Sequence, residues 1–364
     1  MRAVLLQRHG GPEVLRVAEA PAPAAAAGQV AVAIEAIGVN YAEVLSRKGL
    51  YGWAPPLPYV LGMEACGRIE AVGAGVDERR VGERVIIGAQ TGCYAERAVV
   101  PATQALPTLQ GYSLAENAAF AVNYMTAWVG LMEMARLRAG DRVLITAAAG
   151  GVGTAAVQLA RAFGCSVYGA AGSEAKLATL RDLGVDAALS YGEPGFADRV
   201  RAAVGAASSG PGGDDAADND TANNDVANPE PRRCVDVVLE VVGGQVFRDS
   251  MGLLSPFGRI VVAGFAGYEL RWWKPLSWWR TWRDMPRADV ARLAVASSGV
   301  LATHIGYLLK DPDLMSRLWN DLTTFVADHS IRPVVGATFA FDEIAEAHRL
   351  MESRGSTGKI VVRI

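Results

Sequence analysis

The chain has 364 residues, enough for about two domains, and its apolar share of 51% can fill two cores. With 35 basic against 38 acidic residues the net charge is −3, which gives no electrostatic reason to expect a nucleic-acid partner. Cys66, Cys93, Cys165 and Cys234 lie far apart with no CxxC pair, so neither a zinc clip nor a disulfide framework is expected, and buried free thiols are the default.

The opening MRAVLLQRHGG holds only a short apolar run, too short for the core of a signal peptide, and a cytoplasmic location is expected. Up to residue 123, short apolar runs broken by Gly and Pro (RAVLLQ, QVAVAIEAIGV, ACGRIEAVGAGV, GERVIIG, YAERAVVP) read as a β-rich domain. From residue 124 strand and helix patterns alternate, with strands expected at 143–146, 166–170, 187–190, 235–242, 259–265 and 300–304. Six strands with intervening helices make an α/β, doubly wound parallel sheet over 124–312. The last segment, 331–364, holds a strand, an amphipathic helix and a strand, so residues 313–364 are expected to return to the domain of residues 1–123.

Residues 143–160 (VLITAAAGGVGTAAVQLA) carry no charge and change period midway. The start is aliphatic without polar alternation, as in a strand buried on both faces. Val152, Ala155, Ala156, Leu159 and Phe163 then fall at helical spacing, and Gly164 supplies a stop. Ala148, Gly150 and Gly153 are spaced like the glycines of GxGxxG, which let backbone approach a pyrophosphate at a helix N-terminus. Glycines in the middle argue against a bilayer span. At the end of the next strand, where NAD-selective sites hold an acid for the ribose hydroxyls, stands Ala171. Gly172, Ser173 and Lys176 follow and could receive a phosphate, which predicts NADPH over NADH, with Glu174 expected to face water.

Two segments interrupt the plan. Residues 206–233 carry six acidic residues, many Gly, Asn and Pro, and only Val226 as a sizeable aliphatic, which predicts a disordered insert before the fourth strand. In 271–283 (RWWKPLSWWRTWR), indoles alternate with basic residues, a mixture that suits a membrane surface, a binding surface, or an aromatic flap packed on the sheet or on a second subunit.

The stretches GVNYAEVLSRKGLY, LPYVLGMEACGRIEAVGAGV, NYMTAW, AAAGGVGTAAVQLA, AAGSEAKLATLRDLGVD and GSTGKIVV resemble the zinc-independent quinone oxidoreductase branch of the medium-chain dehydrogenases/reductases. Its vesicle amine transport protein-like members share AAAGGVG and an HIGYLL-like stretch at 304–309. The resemblance implies a GroES-like first domain, a Rossmann second domain, NADPH in the cleft and a homodimer formed through the last Rossmann strand. It also implies cofactor contacts at Asn40, Thr126, Gly151, Val152, Tyr191, Gly264, Phe265 and Lys359, beside the fingerprint and phosphate residues above.

Zinc members of the superfamily use a Cys and a His beside a Glu. Here Gly38-Val39-Asn40-Tyr41 and Gly62-Met63-Glu64 stand at those places, so no metal is expected. Without a Lewis acid, simple ketone chemistry is disfavoured. A quinone or an α,β-unsaturated carbonyl needs less help, because the charge arriving with hydride spreads to a distant oxygen near which one or two donors suffice. Asn40 and Tyr51 match pocket positions and are the expected polar orienters, a turn asparagine and a half-buried tyrosine being the alternatives. His9, His304, His329 and His348 are scattered. His348 falls on the outer pattern of the terminal helix, His304 could reach the cleft from the end of the sixth strand, and no histidine is assigned to catalysis. The expected activity is NADPH-dependent reduction of quinones or enones; the alternatives are an enoyl-thioester reductase and a membrane-associated nucleotide-binding protein acting through lipid contact.

Overall fold

A computed structural model describes residues 1–208, 234–264 and 287–364. Contacts divide it into two compact units, Met1–Val129 with Ala149–Leu159 and Thr303–Ile364, and Gly130–Ala148 with Ala160–Ala302.

The first unit is organised by its longest strands. A small sheet joins β1 (Arg2–Leu6) to β2 (Val17–Glu19) and β4 (Tyr59–Val60). The large one centres on β3 (Gln29–Val39), whose β-branched run is buried along most of its length. Antiparallel to β3 lie β5 (Glu64–Val72) and β7 (Arg97–Pro101), and β6 (Arg84–Gly88) and β8 (Ala105–Pro107) extend the β5 side. The core between these strands holds Val30, Val32, Ile37, Ile69, Ile87 and Val362, each nearly inaccessible to solvent. Helix α1 (Tyr41–Arg47) leaves the end of β3, whereas α2 (Leu114–Ala118) and α3 (Ala121–Trp128) follow β8.

The second unit carries six strands: β9 (Arg142–Ile145), β10 (Ser166–Ala171), β11 (Ala187–Ser190), β12 (Val235–Glu240), β13 (Leu254–Val262) and β14 (Gly299–Ala302). All pair in parallel in the order β11-β10-β9-β12-β13-β14, that of a Rossmann sheet. Helices α5 (Glu174–Asp182), α6 (Phe196–Ser208) and α7 (Gly244–Met251) follow strands of this unit, whereas α4 (Gly151–Ala162), between β9 and β10 in the chain, belongs over Gly151–Leu159 to the first unit. Arg142 holds β9 to β12 through a two-pronged pair with Asp236, Nε to Oδ2 and Nη2 to Oδ1 both at 2.9 Å.

The end of the chain adds two more strands. β15 (Val335–Ala340) and β16 (Lys359–Arg363) flank the helix Ile344–Glu352, and β16 completes the first unit's large sheet against β3, with Ile360 opposite Val39. Two readings need correction. The sixth strand ends at Ala302, and His304 instead caps the short helix Ile305–Leu308 in the first unit, its backbone extended at φ −146. His348 is fully buried rather than outward-facing, because it shares with Ile344 and Ala347 the face that packs inward. The acidic stretch 206–233, beyond its first three residues in α6, and the Trp/Arg segment 271–283 lie outside the described residues, as does Phe265.

No described helix is long and apolar enough to cross a membrane. All four cysteines are free; Cys66, Cys93 and Cys234 are buried and Cys165 is partly so. Burial pushes the Cys66 thiol up to about 12 and that of Cys165 to about 11, which leaves both protonated and inert at neutral pH.

Candidate active site

β3 and α1 meet at Asn40, which is buried and extended at φ −122. Its side-chain amide has a forced orientation. Lys359 Nζ can only donate and faces Oδ1 at 2.6 Å; the Glu64 carboxylate can only accept and faces Nδ2 at 3.0 Å. Nδ2 reaches Gly38 O at 3.4 Å, too long for a strong bond. Lys359 also pairs with Glu64 Oε1, with side-chain exposures of 3% and 1%, and Glu64 Oε2 accepts the Val122 N–H at 2.9 Å. Asn123 on α3 points its Oδ1 toward the same ammonium at 3.5 Å. Residues from the β3–α1 junction, β5, α3 and β16 thus converge on one buried cation, whose partners keep it from being an unpaired interior charge.

The fingerprint turn is tied to the same cluster. The turn leaves β9 through Ala147, held at φ +45, and Ala148, whose N–H bonds Ala170 O at 2.9 Å. α4 then starts at Gly151, where a Cβ would lie 2.4 Å from Asn123 Nδ2. Any larger residue there would have to displace that amide. Gly358, directly before Lys359, donates to Ala149 O at 2.8 Å and bridges Gly150, so β16 reaches the Ala149–Gly150 backbone as well as the buried lysine. Val152 and Gly153 lie in the first turn of α4, and Thr126 is buried on α3.

A second network lies behind Asn40. Glu43, three residues on, caps the Asn40 N–H through Oε2 at 2.6 Å and accepts the Met63 N–H on Oε1 at 2.7 Å. Its Oε2 also accepts the Tyr94 hydroxyl at 2.9 Å, and that hydroxyl meets His348 Nε2 at 3.0 Å. With the phenol hydrogen on Glu43, Nε2–H must be the donor to Tyr94, which leaves His348 Nδ1 as a buried acceptor without a partner among the described residues. Burial raises the Glu43 carboxyl to about 7 against the pull of its donors and Lys359. Burial, aided by Arg47, lowers His348 to about 3.

Tyr51 is partly buried in the loop after α1, and its hydroxyl meets His304 Nε2 at 2.7 Å. The rings stack with centroids 5.6 Å apart, and Trp53 packs edge-on to His304 at 5.5 Å.

In the second unit, Ala171 ends β10, and Gly172 presents its bare Cα to the Tyr191 ring, 3.3 Å from where a Cβ would stand. Ser173 is the extended residue before α5, and Lys176 lies in its first turn. Glu174 does face water: it is 74% exposed and pairs with Arg181 at 2.7 Å. Gly264 follows β13 beside Val241. The small residues of the fingerprint fit the close approach of a dinucleotide pyrophosphate.

Glu43, Glu64 and Asn123 were not singled out from the sequence. The Asn-x-x-Glu spacing at 40–43 was a legible helix-start signal; the other two gain meaning only from partners far along the chain.

A model of the alcohol dehydrogenase GroES-like domain matches residues 26–110, and one described as zinc-binding dehydrogenase matches 212–362. The synaptic vesicle membrane protein VAT-1 homolog of Rattus norvegicus is 31% identical over 366 residues, spanning 100% of this chain and 84% of that protein. The chain belongs to the medium-chain dehydrogenases/reductases. Other members are similar along the whole chain. Quinone oxidoreductase of Mus musculus is 29% identical, with 100% of this chain and 97% of that one covered. Quinone oxidoreductase of Thermus thermophilus, whose structures include a complex with NADPH, superposes at a TM-score of 0.74 with 33% identity and 100% of both chains covered. This medium-chain dehydrogenase/reductase is therefore an oxidoreductase built on a GroES-like and a Rossmann-type domain, and its cofactor is a nicotinamide dinucleotide.

Proposed function

We propose that the protein is an NADPH-dependent, zinc-independent reductase of quinones or α,β-unsaturated carbonyl compounds. The observation that carries this reading is the replacement of the zinc-ligand positions by a buried network: Asn40 is bound to Glu64 and Lys359, and Met63 gives its N–H to Glu43. These side chains offer hydrogen bonds but no Lewis acid, which suits an acceptor whose conjugation already spreads the incoming charge. NADPH supplies a hydride. The turn from Ala148 through Gly150, Gly151, Val152 and Gly153 would hold its pyrophosphate, and Gly172, Ser173, Lys176 and Tyr191 its ribose phosphate. Thr126, Gly264, Phe265 and Lys359 remain proposed cofactor contacts, Lys359 acting from within the buried cluster. Asn40, with one amide hydrogen held only at 3.4 Å, and Tyr51 would orient the acceptor oxygen.

A panel of quinones and enones followed by loss of NADPH absorbance tests the activity; no turnover across both classes would refute it. Parent protein should bind NADPH more tightly than NADH. Lys176→Ala should narrow that gap, since a charge-assisted phosphate contact contributes about 1.5–3 kcal/mol. Equal affinities for the two cofactors in the parent, titrated by fluorescence, would contradict the phosphate pocket. Exhaustive chelation should leave turnover unchanged, and stoichiometric zinc lost together with activity would overturn the zinc-independent assignment.

A further inference from the structure

The ring cluster around Tyr51 is more elaborate than packing needs. Tyr51 and Trp53 come from one loop, His304 and Tyr307 from a turn some 250 residues later, and all belong to the first unit. Trp53 lies 6.4 Å from Tyr51, 5.5 Å from His304 and 6.0 Å from Tyr307, centroid to centroid, and Tyr307 lies 4.8 Å from His304. Gly306 makes this possible: a Cβ there would meet the Trp53 indole at 2.6 Å. The indole therefore sits against bare backbone, and the imidazole is held between three aromatic rings.

Packing alone would be served by phenylalanines. Here a phenol and an imidazole are joined at 2.7 Å, and among the described residues that imidazole is the phenol's hydrogen-bond partner. The pair is graded in exposure, Tyr51 partly buried and His304 open to water. Burial holds the Tyr51 hydroxyl well above its usual range, with Glu43 and Tyr307 adding to the effect, so it stays protonated. Partial desolvation against the surrounding rings holds His304 below its usual value, which favours the neutral form. A neutral imidazole carries one N–H; with that hydrogen on Nε2 it donates to the phenol oxygen and leaves the phenol hydrogen free for a ligand.

We propose that His304 positions and reprotonates Tyr51, which delivers the proton that completes reduction of the substrate. This rests on the reductase reading above and adds to it the source of the proton. Hydride from the reduced nicotinamide forms a C–H bond at the β-carbon of an enone. The π electrons move to the carbonyl oxygen, and the Tyr51 O–H bond breaks to protonate that oxygen. Tyr51 is restored by the Nε2 hydrogen of His304 while Nδ1 takes a proton from a solvent water, whose hydroxide is neutralised by the buffer, and exchange with solvent returns the imidazole hydrogen to Nε2, so the substrate gains one hydride and one proton. The cofactor is oxidised, and the enol relaxes to the saturated ketone in solution. Tyr51 is the catalytic residue of this step and His304 a positioning residue.

The experiment uses the whole protein with NADPH and the best enone from the panel, and compares parent, Tyr51→Phe, His304→Ala, His304→Phe and the double variant Tyr51→Phe/His304→Ala. Positioned proton transfer contributes roughly 100- to 10,000-fold. Tyr51→Phe should therefore lower kcat at least about 100-fold with little change in KM, and both His304 variants at least about 10-fold. The double variant should be no worse than Tyr51→Phe, since both residues serve one step. Imidazole in the buffer should restore His304→Ala and leave Tyr51→Phe unchanged, a response that a packing role would not give. Unfolding midpoints and NADPH affinity identify any variant that has lost its fold. The proposal is overturned if His304→Phe retains parental kcat, if the two losses multiply, or if imidazole fails to restore a folded His304→Ala. Absence of turnover in the parent would instead remove the reductase reading, and the proposal with it.

Discussion

Replacing Lys359 by methionine should destabilise the protein by about 3–5 kcal/mol, the usual effect of removing one partner from a buried ion pair. The lysine and Glu64 are almost wholly shielded, so the carboxylate left behind would keep only Asn40 Nδ2 at 3.0 Å and the Val122 N–H at 2.9 Å among the described residues. Coulomb attraction alone does not account for that figure; most of it is the cost of an uncompensated charge in a poorly solvating interior. The double variant Lys359→Met/Glu64→Gln should recover a large part of the loss, because it removes the second charge as well. Urea unfolding followed by circular dichroism measures both. A loss below about 1 kcal/mol for Lys359→Met would mean that water reaches the cluster.

The second large effect is a pair of opposed pH dependences behind Asn40. Glu43 titrates near 7 folded and 4.5 unfolded, so from pH 4.5 to 7 the folded state binds more protons, and the stability it contributes is lost as pH rises. His348 titrates near 3 folded and 6.5 unfolded, so its contribution is lost as pH falls from 6.5 toward 3. At most these shifts correspond to about 3 kcal/mol for Glu43 and about 5 kcal/mol for His348 across their windows, and between pH 4.5 and 6.5 the two slopes cancel. Parent stability should therefore be nearly flat there. Glu43→Gln should expose a decline on acidification, His348→Leu a gain. The charges facing this pair are Arg47, paired through Nη2 with Glu352 at 2.6 Å, and Lys359 beyond Asn40. Urea midpoints at half-unit pH steps would decide. Slopes of the same sign in the two variants would show that Glu43 or His348 is charged otherwise than their burial implies.

The Rossmann half was readable because its strands are short uncharged runs buried on both faces, a pattern that survives without knowledge of tertiary partners. β9 to β14 appear where those runs stand, with ends moved by a few residues. The resemblance pointed to Asn40, Tyr51 and Lys359 one by one, yet their companions stayed hidden. Glu64, Asn123 and Lys359 lie in three separate segments, and nothing local marks a glutamate whose partner is a lysine 295 residues away. His348 was misjudged because a polar residue on an amphipathic helix is assigned outward by default, although its spacing from Ile344 is that of the buried face.

The pairing of β16 with β3 also fixes an order of events during biosynthesis. Ala36 to Val39 wait for Arg363 to Ile360, and Asn40 waits for a lysine 319 positions later. While the ribosome is still making the Rossmann half, this stretch of β3 is an open apolar edge. A chain that stalls before Gly358 would hold every strand of the parallel sheet but neither the buried cation nor the bridge to Gly150. Such a nascent chain should be prone to aggregation through that edge, and chaperone demand should fall as soon as the last strand docks.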